Sequence, residues 1–246
     1  MIARFFLVTV ILALPAVAFG DISPSLWNYY KTISEYSESR HSTVFPGRCI
    51  GGFEETAEFI EKWQYRSSVY ELHFSDRLLL GKTVYSLARY SGDISEEISR
   101  GRIANGVEGF HYSSRQICDW LNAVFSGKCE APVAEEFYLI SLLIRDNVVQ
   151  VEKGRFLPSE KIGHVLAAAP GKKRTFKDNL CHERLHVLWD ASREFRQRAE
   201  SRWKAFTEEQ QKSIRKSLKG YADNEALLME EWAVREAQAG TLNPGM

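Results

Sequence analysis

His182, Glu183 and His186 stand in the spacing H-E-x-x-H within the stretch RTFKDNLCHERLHVLWD. Residues four apart are side-chain neighbours on an α-helix, so both imidazoles can reach a single metal ion. The glutamate after the first histidine projects beside that ion, where it can polarise a bound water. Zinc brings the pKa of such a water to about 7, so a nearby carboxylate can take its proton at neutral pH. These residue types at this spacing point to metal-assisted hydrolysis.

The helix itself has a start signal. Thr175 and Asp178 form a T-x-x-D cap ahead of an apolar-periodic run. Winding 176–197 at about 100° per residue gathers Leu180, Cys181, Leu185, Val187, Leu188, Ala191 and Phe195 in one sector. Asn179, His182, Glu183, His186, Asp190, Arg193 and Gln197 occupy the other. A core histidine would belong to the apolar sector, and these two do not. A solvated surface helix would show the same polar face, so the periodicity leaves cleft and open surface undivided.

Through His182, Glu183 and His186 the chain resembles the zincin metallopeptidases, over this motif and its helix. The resemblance implies Zn2+ held by His182 and His186, with Glu183 as the catalytic base. It also implies a sheet above the motif helix whose edge strand holds a peptide or protein substrate by strand addition. EEFYLISLLI (135–144) and VVQVEKG (148–154) are the candidate edges. An oxyanion stabiliser is implied too, with Tyr221, His164 and Arg235 as candidates.

A catalytic zinc takes three protein ligands and keeps one position for water. Asp190 lies about 12 Å along the helix axis from His182, too far to share one ion on a straight helix. It reads better as an orienting partner of His186 or of Arg193, with Asn179 a further supporting residue. The metzincin branch needs a glycine and a third histidine soon after the motif, and HERLHVLWDASREF has neither. The gluzincin-like branch takes a glutamate from a later helix. YADNEALLMEEWAVREAQ (221–238) starts at an Asp223 or Asn224 cap and carries Glu225, Glu230 and Glu231. Glu225, at the helix start, suits the positive end of the helix. Glu231 projects between Leu227, Leu228 and Val234 and is the expected third ligand, with Glu230 the alternative. In thermolysin-type enzymes an acid follows the ligand by four residues, whereas here that position is Arg235.

The elements that must position these groups read as follows. SPSLWNYYKTISEYSES (23–39) and EETAEFIEKWQYR (54–66) are expected helices, SVYELHF (68–74) a half-buried strand. RLLLGKTVYSLARY leans towards strand in its first half, and 113–125 is a helix. EEFYLISLLI and VVQVEKG around the turn RDN suggest a hairpin, and LPSEKIGHVLAAAPGKKR a connector. From Thr175 onward the chain is almost wholly helical, with a connecting helix (206–221) closed by Gly220. The expected fold is α+β and zincin-like: a mixed part over 21–172 and a helical part over 173–246, forming one domain.

The opening MIARFFLVTVILALPAVAFG has a positive start, an apolar run and small residues at its end, and is read as a signal peptide over 1–20. The run is shorter than the roughly 20 residues a membrane span takes. Export to a secreted or periplasmic location, without stable membrane insertion, is therefore expected. In an oxidising compartment Cys49, Cys118, Cys129 and Cys181 are expected to pair, Cys118 with Cys129 preferred, which leaves Cys181 for Cys49. The 32 basic and 32 acidic residues cancel, so bulk charge predicts no nucleic-acid partner. GKT at 81–83 lacks the first glycine of a phosphate loop, and His41, His73, His111 and His164 stand isolated. The alternative to a hydrolase is a non-catalytic secreted or envelope interaction protein on a zincin-like scaffold.

Overall fold

Alternating side chains in short strands decide which helices cover which face of the sheet. The computed structural model describes residues 44–47, 66–74, 77–95, 97–103, 106–130, 132–218, 221 and 224–244. The expected leader, the helices over 23–39 and 54–65, Cys49 and Gly220 lie outside them. Strands β1 (Val44–Gly47), β2 (Val69–Phe74), β6 (His164–Ala168) and β3 (Gly109–Ser113) form one sheet in that order. β2 and β6 run parallel; β1 on β2 and β3 on β6 are antiparallel. β4 (Val149–Glu152) and β5 (Arg155–Pro158) make a separate hairpin.

Tyr70, Leu72, Phe74, Phe110, Tyr112, Val165 and Ala167 point to one core. That side is covered by α1 (Arg77–Ser91), α3 (Ser114–Phe125) and α4 (Ala134–Arg145), while the four-residue α2 (Arg100–Ile103) leans on α1. The alternate residues Val69, Leu166 and Ala168 point to a second core. It is filled by α5 (Phe176–Ala191), α6 (Arg193–Ala205) and α8 (Glu225–Gln238), with α7 (Glu208–Ser217) connecting the last two. The architecture is α+β, with the motif helix α5 on one face of the sheet.

Several local expectations are corrected. The start of RLLLGKTVYSLARY is helical in α1, because Leu80, Val84 and Leu87 recur at helical spacing into the core. EEFYLISLLI is helix α4, not a strand. Its apolar residues are buried nearly all round, which erases the periodicity that separates helix from strand. The RDN segment ends this helix, with Asn147 in the left-handed region at φ 55°. The hairpin turn is instead Lys153–Gly154, both at positive φ, as a two-residue turn between twisted strands requires. The connector GHVLAAA holds β6, an inner strand whose small alanines fit between helices on both sides. The helix wound over 176–197 is two helices, because Ser192 ends α5 and its hydroxyl accepts from Phe195 N to start α6.

The favoured Cys118–Cys129 disulfide is absent: Cys118, Cys129 and Cys181 are free thiols. Cys118 is buried on the inner face of α3, and burial pushes its thiol up to about 12, so it behaves as a small apolar residue. Among the described residues no helix is long and apolar enough to cross a membrane.

Candidate metal centre

The Thr175 hydroxyl accepts from Asp178 N, and the Asp178 carboxylate accepts from Thr175 N at 2.9 Å, so α5 begins at a reciprocal cap. From there the helix runs under the sheet. Arg184, on its sheet-facing side, is fully buried and forks onto Glu71 of β2 at 2.7 and 2.9 Å. Asn179 Nδ2 donates to Ala169 O at 2.8 Å, just beyond β6. These bonds fix the rotation of α5 about its axis. The polar sector holding His182, Glu183 and His186 is thereby buried rather than solvated, at 6%, 7% and 9% exposure.

The last helix supplies the acid. Asn224 caps α8 by accepting from Ala226 N and Leu227 N, and Leu228, Trp232, Ala233 and Val234 anchor it in the second core. Glu231, 2% exposed, is the glutamate that this orientation brings to both imidazoles. Its carboxylate oxygens stand 3.5 Å from His182 Nε2 and 3.4 Å from His186 Nε2. Tetrahedral zinc with bonds of about 2.05 Å sets its ligand atoms about 3.3 Å apart. Glu225 is elsewhere, bonded to Arg215 and to Trp203 Nε1.

Both rings are turned by partners on their far nitrogen. Glu230 Oε1 meets His186 Nδ1 at 2.7 Å, so the bond expected from Asp190 is made by Glu230 instead. Gln238 Oε1 meets His182 Nδ1 at 3.2 Å, and Gln238 Nε2 donates to Asp178 O, which fixes the amide's orientation. An acceptor at each Nδ1 assigns the proton there and aims each Nε2 lone pair at Glu231. Two lone pairs facing a carboxylate repel unless a cation lies between them. The donor set therefore fits a divalent ion, and in its absence the groups share protons. Hydrogen bonds to Glu230 and Glu231 overcome burial and raise His186 well above its ordinary value. Burial opposes ionisation of Glu231, yet His182 and His186 hold it well below the carboxylate range.

Glu183 points to a different neighbour. Its side chain lies against the backbone of Gly109 at the start of β3, where an added Cβ would stand 2.7 Å from both Cγ and Cδ. Burial, reinforced by Glu231 and opposed by His182 and His186, pushes this carboxyl up to about 7. A cavity of about 720 Å³ opens over these groups, lined by β3, α5, α8 and Tyr221. Arg235 reaches into it and donates to Glu231 Oε1 at 2.7 Å, with its guanidinium 5.8 Å from the Tyr221 ring centre. Tyr221 is partly exposed as a residue, and desolvation of its phenol end at the cavity wall, with the Glu231 carboxylate nearby, pushes the phenol up, so it remains a donor.

Two histidines read as isolated in the sequence meet here. Strand alternation turns His111 of β3 and His164 of β6 to the α5 side, and Asp190 in the last turn of α5 comes up beside them. Burial lowers both imidazoles, with His186 and His164 adding to the effect on His111. Burial and Glu230 raise Asp190 to about 6. The signal that could have found the pair is the two-residue period of each strand, which needs the β6 assignment first. Comparison with protein-family models, with curated proteins and with solved structures found no match to this chain, so the meaning of the site rests on its own geometry.

Proposed function

We propose that the chain is an exported, zinc-dependent hydrolase of zincin-like, gluzincin type that cleaves peptide bonds. The observation that carries this reading is the convergence of His182, His186 and Glu231 from two helices, with Glu183 alongside and all four side chains buried under a cavity. His182, His186 and Glu231 would hold the zinc, which would supply Lewis acidity to a water and to a substrate carbonyl. Glu183, fixed against Gly109, takes the proton of the attacking water and passes it to the leaving amine nitrogen. Arg235 and Tyr221, both lining the cavity, are placed to donate to the oxygen that gains charge.

The substrate edge in this reading is β3, in place of the two segments suggested by the sequence. β3 pairs only with β6 among the described residues and contributes Gly109 to Tyr112 to the cavity wall, so an extended peptide can add alongside it. The leader-like first twenty residues support export. The test is Glu183→Gln in purified protein, with zinc content and hydrolysis of a quenched-fluorescent peptide library measured together. Retained zinc with lost hydrolysis is expected. Turnover equal to the parent would sink the mechanism.

The second reading, a non-catalytic interaction protein on the same scaffold, is favoured by one contact. Arg235 already neutralises Glu231, which weakens the pull of that carboxylate on an ion. Bound zinc with no cleavage of any library member would select it.

A further inference from the structure

We propose that His111, His164 and Asp190 form a second divalent transition-metal site beside the first. The three residues come from three elements: β3, β6 and the last turn of α5. His111 Nε2 and His164 Nδ1 are 3.0 Å apart, and Asp190 Oδ2 is 3.8 Å from the first and 3.7 Å from the second.

An ordinary hydrogen-bonded triad does not account for that triangle. The two facing ring nitrogens share at most one proton between them, so the pair alone can form one bond. A carboxylate completing such a triad would approach a ring nitrogen to about 2.8 Å. Asp190 instead stands almost equally far from both, beyond hydrogen-bond reach. The three separations bracket the spacing of about 3.3 Å between donors on one tetrahedral ion with bonds near 2.05 Å. Binding moves the shared proton to the far nitrogen of its ring or releases it, leaving two lone pairs and a carboxylate facing the ion.

The surroundings suit a cation. Arg196 already occupies the Trp189 and Asp190 carbonyls, leaving the Asp190 carboxylate free to turn to the histidines. Side-chain exposures of 6% for His111, 20% for His164 and 41% for Asp190 give a site closed on the sheet side and open at the carboxylate. Two imidazoles and one carboxylate select zinc, cobalt or a similar ion over calcium or magnesium, which prefer oxygen donors throughout. The His111 ring lies parallel to that of His186 at 6.0 Å between centres, so the two ions would be close neighbours. The second ion would tie the substrate-edge strand β3 and the inner strand β6 to the end of the motif helix.

The test uses the purified full chain, stripped with chelator and dialysed to equilibrium against buffered zinc, with metal per chain measured by mass spectrometry. Two ions per chain are expected for the parent, matching the two donor groups. His186→Ala should lose one and Asp190→Asn the other, and the combined variant should hold none. Asp190 is partly exposed and asparagine is isosteric, so this variant tests binding rather than folding; the parent stoichiometry needs no variant. One ion in the parent that Asp190→Asn retains overturns the second site and leaves the first intact. One ion lost in Asp190→Asn and kept in His186→Ala upholds the second site and overturns the first.

Discussion

Gly109→Ala perturbs the proposed base without touching any proposed ligand. The added Cβ would stand 2.7 Å from Glu183 Cγ and Cδ, and ordinary contact begins at 3.4 Å, so these atoms must retreat by about 0.7 Å. Because Cγ is included, spinning the terminal carboxylate does not relieve the clash. Either Glu183 changes rotamer or β3 lifts from α5. A misplacement of about 1 Å in a reacting group costs on the order of 100-fold in rate, about 2.7 kcal/mol of barrier. Stability should fall by only about 1 kcal/mol, as overpacking is partly offset by the stiffer unfolded chain. The assay is kcat/KM on a cleaved peptide, with zinc content and urea midpoint measured on the same preparation. Gly171→Ala is the control. Its Cβ would crowd the half-buried Glu108 carboxylate, which accepts from Lys172 N and belongs to neither the proposed base nor the proposed ligands. The reasoning is refuted if Gly109→Ala turns over like the parent, or if it loses zinc in step with activity.

Glu230→Gln should weaken zinc binding by about 10- to 100-fold while leaving the ligands in place, because the charged acceptor on His186 Nδ1 is lost; competition with a chromophoric chelator reads this. Arg184→Met strips the bidentate guanidinium from the buried Glu71 carboxylate, and should cost about 3–5 kcal/mol in urea unfolding. Thr175→Ala removes the start of α5 and should cost about 1 kcal/mol by the same measurement. Hydrogen bonds from Thr175 N and Oγ1, with Arg174 and Lys177 nearby, hold Asp178 below its ordinary value of 3.8. A carboxyl lowered on folding contributes stability that is complete above its unfolded value and lost as pH falls through the folded one. The cap's contribution should therefore be flat from neutral pH to about 5 and fade below about 4, and Asp178→Asn should remove that acid-limb slope.

The parts of the molecule governed by local rules are readable in the sequence. Thr175 and Asp178 mark the start of the motif helix, Asn224 that of the last helix, and the i, i+4 spacing sets His182 beside His186. The inward lean of Glu231 follows from its apolar flanks. What fails is whatever the sheet decides. β6 is hidden by its alanines and α4 by burial on nearly all sides, so of the two candidate edge strands one is a helix and the other lies in the separate β4–β5 hairpin. With β6 unread, nothing in the sequence joins His111 to His164, 53 positions apart, or brings Asp190 to both. The buried Arg184–Glu71 fork is equally long-range, spanning 113 positions, and its charge reads as surface until the sheet is placed over α5.

The most direct measurement is an anomalous difference map at the zinc absorption edge, from crystals of the zinc-loaded protein. A peak about 2.0–2.2 Å from His182 Nε2, His186 Nε2 and a Glu231 oxygen is the predicted result. Ordered density for all three side chains with no anomalous peak among them would contradict it.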